Sequence, residues 1–266
     1  MRDIVDTSDL LAQQLFRVGR RFGIGLGLAL ACCTAAEAGN ELVLNDVNDP
    51  PFTTRTHDGF LDIIAREVFR RAGLRLTLVK LPAERGLINA NAGIDDGDLT
   101  RIAGLERIYP NLVRVPEKLV DWHFVAFTRT AKITAASWTT VEPLSVAHIR
   151  GWKIYEQSLS PATHVTTADT AEQLFVMLQN DRIDLALYER SLGSALAKRM
   201  GITDLRIVEP PLAVREMFIY LNKKHADKVS AIARALRALK DEGLYGRICR
   251  EKLAPIGVPT AQCETQ

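Results

Sequence analysis

Two arginines stand in the segment DGDLTRIAGLER, at Arg101 and Arg107. A guanidinium is a planar fork that gives a carboxylate two parallel charge-assisted bonds, so either side chain could anchor an anionic group. The alternative for each is a surface arginine paired with a nearby acid, worth under about 1 kcal/mol. Upstream, LPAERG places Glu84 and Arg85 at the start of a helix opened by Pro82. A helix N-terminus favours an anion and presents free backbone N–H groups, so this corner could hold a ligand carboxylate. Glu84 reads equally well as a first-turn acid that offsets the helix dipole. Phe52, in the Pro-Phe loop after the first strand, is an aromatic wall candidate whose alternative is a hydrophobic staple onto the first helix, and Trp122 and Tyr155 are further candidates, although Trp122 begins an apolar strand and suits a core as well.

Other chemistries find no support. His57, His123, His148, His164 and His225 are scattered without metal-ligand spacing. Neither a G-x-S-x-G nor an H-E-x-x-H motif occurs. Gly23, Gly25 and Gly27 lie inside an apolar run, with no strand before them and no Lys-Ser/Thr after them, so they do not form a phosphate loop. These residues point to recognition without catalysis, and to no cofactor and no metal.

The elements that must position these groups belong to an ordinary globular chain. The 266 residues include 34 Lys+Arg and 32 Asp+Glu, with 47% apolar and 25% charged residues, which excludes a disordered or collagen-like chain. A net charge of +2 gives no electrostatic case for nucleic-acid binding. The length allows one large or two small domains and a full core.

The N-terminal segment is expected to be removed. RVGRR at 17–21 is basic, 22–33 is uncharged and apolar, and Ala36 and Ala38 form an A-x-A site, which together describe a secretory signal peptide over 1–38. The apolar run falls short of the roughly 20 residues that span a bilayer. Cys32 and Cys33 raise a lipoprotein alternative, but Ala29 stands where the usual upstream leucine would be. The exported chain would keep Cys249 and Cys263, which in an oxidising compartment pair most simply, the alternative being two free thiols. Such a loop stabilises by about 3 kcal/mol in the chain-entropy model.

From Glu41 the pattern alternates. Glu41–Val47 reads as a strand, Gly59–Ala72 as a helix capped by Asp58 and ended by Gly73, and Leu74–Lys80 as a strand, with a second helix running to Gly93. Alternation of this kind implies an α/β sheet with parallel strands. Leu99–Ala103 and Trp122–Arg129 continue as strands, and the Thr-rich stretch 130–140 reads as a crossing into a second lobe. There, Trp152–Tyr155 is expected as a strand, Thr170 and Gln173 as a capping box, Ile183–Tyr188 as a strand and Ser191–Met200 as a helix. Leu205–Val208, a second boundary at Glu209-Pro210-Pro211, an apolar strand Arg215–Leu221 and a long helix Lys223–Lys240 complete the pattern.

Over 41–253 the chain resembles the extracytoplasmic solute-binding proteins of ABC importers, the polar amino-acid-binding family (family 3). The resemblance rests on a Pro-Phe loop leading to GFLDIIAREVFRRAG, on LPAERGLINANAGIDDGDLTRIAGLERIYPNLVRVPE, on NDRIDLALYER, and on IYLNKKHADKVSAIARALRALKDEGLYGRI. It implies a type II periplasmic binding protein fold of two α/β lobes, each a mostly parallel sheet flanked by helices, joined by two hinge crossings. The lobes would be 39–129 with 212–266, and 130–211. It also implies a small polar solute, an amino acid, held in the cleft and passed to a membrane permease in the periplasm by a monomeric protein without enzymatic activity. Arg101 matches the DG-x-x-x-R pattern of such relatives, Arg107 the alternative Glu-Arg pair, and Arg85 the P-x-E-R pattern. Phe52 matches an aromatic placed against the ligand. Glu189 stands where the family has an Asp that holds the ligand ammonium, and Asp184 is expected to orient its strand. The second lobe lacks the usual Gly/Ser/Thr-rich anion turn, with Ser158 and Thr163 as substitutes. Two other readings are a sensory or partner-binding module without solute capture, and a dehydratase-like enzyme on the same scaffold.

Overall fold

The computed structural model of the protein describes residues 40–256 and Cys263. The expected signal segment and its Cys32 and Cys33 lie outside the described residues. The described residues from Leu42 onward form one compact unit.

The chain runs β1 (Glu41–Asp46), α1 (Phe60–Arg71), β2 (Arg75–Lys80), α2 (Ala83–Ala92), β3 (Gly97–Ile102), β4 (Leu112–Arg114) and β5 (Val120–Thr128). It continues β6 (Ser145–Ile149), α3 (Lys153–Ser158), β7 (His164–Ala168), α4 (Ala171–Gln179), β8 (Leu185–Glu189), α5 (Arg190–Arg199), β9 (Arg206–Asn222), α6 (Val229–Asp241) and α7 (Leu244–Leu253). The nine strands form one sheet in the order β2-β1-β3-β9-β5-β8-β6-β7, with β4 also on β9. At one end β1 and β3 are parallel, and at the other β6 is parallel to both β7 and β8. Helical crossovers between these strands explain the parallel pairing.

Two long antiparallel strands join the ends. Val120–Phe124 of β5 pairs with Ala213–Met217 of β9, and Ala126–Thr128 pairs with Arg206–Val208. Between them the register shifts, where Glu209-Pro210-Pro211 passes opposite Val125. Proline has no N–H to give to a ladder, so the pairing breaks there while the strand continues. The sequence reading of two strands separated by a boundary is therefore corrected to one strand with a local break.

Other local readings hold or shift for identifiable reasons. Thr170 and Gln173 form the expected capping box on α4. Gly73 and Gly93 adopt the left-handed conformation after their helices. Gly59 rather than Asp58 caps α1: the Asp62 carboxylate accepts from the Gly59 and Thr54 amides, while Asp58 accepts from Thr54 and Thr56 hydroxyls. Trp152–Tyr155, expected as a strand, instead enters α3, because β6 ends earlier and Gly151 turns the chain at φ 84°. The apolar alternation there serves one buried helix face, with Ile154 and Tyr155 inside and Glu156 outside.

Most of the core is one buried cluster, and a second, smaller one gathers Leu87, Ala90, Leu105, Tyr109, Leu112, Phe218 and Tyr220 under α2. Phe60, Leu61, Ile64, Val68 and Phe69 of α1 are buried, with α6 and α7 packed against that helix. Cys249 on α7 is disulfide-bonded to Cys263. Among the described residues no helix is long and apolar enough to cross a membrane.

Candidate ligand cleft

The site lies where loops after β1, β2, β6, β7 and β8 converge beside the crossing strands. Four aromatic rings form its spine. Phe52 stacks on Trp122 at 6.3 Å, Trp122 meets Trp152 at 5.2 Å, and Trp152 stacks on Tyr188 at 4.6 Å. The series carries buried aromatic surface from the β1 loop across the crossing strands to β8.

A larger cavity of about 300 Å³ opens along this spine. One wall is Asp46–Asp49 and Lys80–Ala83; the other is Ile149, Trp152, Asp169–Glu172 and Tyr188. The Tyr188 hydroxyl donates to Asp49 Oδ2 across it at 2.8 Å. Lys80 Nζ pairs with Asp46 at 2.6 Å and also donates to Thr53 Oγ1 and to the Asn48 carbonyl. Burial pushes the Asp49 carboxyl above its usual range, against the opposing pull of the Tyr188 hydrogen bond and Lys80. Asp169 pairs with Arg150 at 3.1 Å, while Glu172 makes no ion pair among the described residues.

A smaller cavity of about 20 Å³ lies on the other side of Val47 and Trp152, which line both. It is bordered by Thr100, Arg101, Trp122 and Lys153. The volume suits about one water molecule. Arg101 Nε and Trp122 Nε1 are both buried there without a hydrogen-bond partner among the described residues.

A tight contact narrows the passage. Gly151 sits so close to α2 that an added Cβ would lie 2.4 Å from the Glu84 amide nitrogen and 2.9 Å from the Ala83 carbonyl carbon. Beside it, Lys153 Nζ donates to Glu84 Oε2 at 2.6 Å and to Glu156 at 2.7 Å, and Tyr109 donates to Glu84 Oε1 at 2.9 Å. These partners hold the Lys153 ammonium well above its ordinary pKa despite burial.

The sequence candidates fall into three groups. Arg101 and Trp122 meet at the small cavity. Arg101 reaches it because the β3–β9 register shifts between Asp98 and Arg101. In a regular strand, residues three apart face opposite sides, so the irregularity turns Arg101 towards Asp98. Its Nη2 donates to Asp98 Oδ2 at 2.7 Å and to the Ala83 carbonyl at 2.8 Å, with both partners of the ion pair buried. Glu84 lines neither cavity and is taken by Lys153 and Tyr109. Phe52 lies behind Trp122, 2% exposed, as a core aromatic between Trp122 and Phe60.

The remaining candidates lie elsewhere. Arg85 and Arg107 are exposed and line neither cavity. Tyr155 is fully buried and donates to the Tyr188 carbonyl. Glu189 is buried and caps α5, accepting from the Leu192 amide at 2.8 Å. Burial raises its carboxyl to about 7, despite the amides of Leu192, Ser191 and His123. Asp184 holds Ser145 through its amide and hydroxyl, joining β8 to β6.

Sequence reasoning passed over Asp49, Lys80, Trp152, Asp169, Glu172 and Tyr188 as cavity residues. A signal existed for two of them: the Thr170–Gln173 capping box marks a helix N-terminus after β7, and Asp169 and Glu172 flank it.

No protein-family model matches the chain. An uncharacterized protein of Shewanella oneidensis is 25% identical over 199 residues, covering 72% of this chain and 75% of that protein. A Streptococcus pneumoniae ABC uptake transporter substrate-binding protein with bound histidine superposes with a TM-score of 0.67 at 15% identity, covering 82% of this chain and 94% of that one. A histidine kinase sensor domain with similarity to periplasmic binding proteins gives 0.68 at 16% identity, covering 80% and 97%. With the two crossing strands and the sheet order above, these matches give the chain the two-lobed type II periplasmic-binding-protein fold.

Proposed function

We propose that this chain is an extracytoplasmic solute-binding protein. It captures a small polar solute, with an amino acid the class implied by its resemblances, and delivers it unchanged to the membrane permease of an ABC importer. The lobes are 39–129 with 212–266, and 130–211, and the protein works as a monomer in the periplasm after removal of residues 1–38. The observation that carries this reading is the cavity of about 300 Å³ whose walls come from both sides of the crossing strands. A solute there touches Asp49 on one side and Trp152 and Tyr188 on the other, so its binding energy favours the closed arrangement. The histidine-bound neighbour supports an amine-bearing solute. The cavity's polar groups are carboxylates, one ammonium, amides and hydroxyls, with no histidine or cysteine among its lining residues. That set recognises charge and suits capture without chemistry.

Thermal unfolding of the purified protein against amino acids, amines and small carboxylates tests the reading. A ligand at about a hundred times its dissociation constant adds roughly 2.7 kcal/mol and raises the midpoint. The expected result is a shift with one solute class, which is recovered unchanged afterwards. No shift with any member of the panel, or conversion of the solute, contradicts it.

A further inference from the structure

The larger cavity is rich in carboxylates and poor in free cations. Among its described lining residues, Lys80 is the one cation, and its ammonium is engaged by Asp46, Thr53 and the Asn48 carbonyl. Asp169 has Arg150 as counter-ion. Asp49 and Glu172 then remain as carboxylates without a cation of their own, one on each wall. Asn48 stands in the same wall. It is 0% exposed, and its Nδ2 donates to Asp46 Oδ1 and Thr100 Oγ1. A carboxylate only accepts, so this amide orientation is fixed, and the Asn48 Oδ1 acceptor is left buried without a partner. The stacked Trp152 and Tyr188 rings complete the wall.

The arginine able to receive a carboxylate lines the other cavity. Arg101 and Trp122 face the cavity of about 20 Å³, which has room for about one water. Gly151 is seated on Ala83 and Glu84 between the two walls. A carboxylate carried into the larger cavity would meet Asp49, Glu172, Asp169 and Asp46 with no uncommitted cation to offset them. Like-charge juxtaposition of this kind rejects a ligand strongly.

We propose that the cleft selects an organic cation without a carboxylate, an aliphatic amine or guanidine held by Asp49 and Glu172 against Trp152 and Tyr188, over the α-amino acid of the same side chain. This rests on the solute-capture reading and narrows its ligand class.

Isothermal titration of the purified protein with two matched pairs separates the possibilities: agmatine against arginine, and putrescine against ornithine. The expected result is at least tenfold tighter binding of the carboxylate-free member of a pair. That affinity falls at least tenfold in Asp49→Asn and to a lesser extent in Glu172→Gln, a substitution at an exposed position that keeps the fold. Arginine or ornithine binding as tightly as its partner overturns the proposal and leaves solute capture standing. So does agmatine or putrescine binding that neither substitution weakens, or binding of only neutral or anionic solutes from the wider panel. Silence with every solute overturns both readings together.

Discussion

The two cavities that share Val47 and Trp152 are opposites. The smaller holds unpartnered donors, Arg101 Nε and Trp122 Nε1, in a volume near that of one water. The larger holds the carboxylates Asp49 and Glu172 in a volume that fits a small solute. Residue type alone favoured the first, since arginine is the natural partner of a carboxylate. Volume and the prior commitments of each group favour the second. Arg101 is engaged by Asp98 and the Ala83 carbonyl, so its role is first to hold β3 to the start of α2.

This contrast is open to attack in order of effect. Replacing Arg101 with Met leaves Asp98 charged or protonated in a buried site, and breaking such a pair costs about 3–5 kcal/mol. Urea unfolding should show that loss. An unchanged urea midpoint would mean that Arg101 is not structurally committed, and would return it to the ligand.

Two buried carboxyls sharpen the comparison next. Glu189 caps a helix, and its carboxyl is raised to about 7 by burial. A raised acid binds its proton more tightly when folded. Its contribution is therefore complete below about pH 4.5 and is lost as pH rises to about 7, a change of about 3 kcal/mol. The thermal midpoint of Glu189→Gln should vary less over that window than that of the unaltered protein. Asp49 is raised too, but faces the large cavity. A cation there needs its charged form, so agmatine affinity should weaken as pH falls through the raised pKa of Asp49. Titration at descending pH reads this directly, and an affinity indifferent to pH would separate Asp49 from the ligand.

The smallest effect concerns the narrowing. Lys153 and Glu84 are partly exposed, so Lys153→Met should lower stability by under about 1 kcal/mol. Because the pair ties α3 to α2, small-angle scattering should nevertheless record a larger radius of gyration for the ligand-free variant. An identical radius would mean that the Gly151 contact alone closes the passage.

The sequence made the alternation of strands and helices legible because each amphipathic pattern repeats several times within one element. α1 declares itself through Phe60, Ile64 and Val68, and α4 through its capping box. Short elements were less legible. Leu112–Arg114 and His164–Ala168 are strands that take their form from neighbours in the sheet, and α3 presents too few residues to show a helical period. The candidate site was named from the sequence at Arg101 and Trp122, which line the smaller cavity and not the larger one. It was hidden at Asp49, Glu172 and Tyr188, because their significance comes from facing one another across distant parts of the chain. No local pattern announces that the Tyr188 hydroxyl meets Asp49. Nor does any local pattern announce that Lys80 is engaged by Asp46.

The most direct test of capture between the walls is a crystal structure of the protein grown with agmatine. The account predicts the guanidinium or amine within hydrogen-bond distance of Asp49, against Trp152 and Tyr188, with the Arg101–Asp98 pair intact. Ligand density at Arg101, with that pair broken and the larger cavity empty, would contradict it.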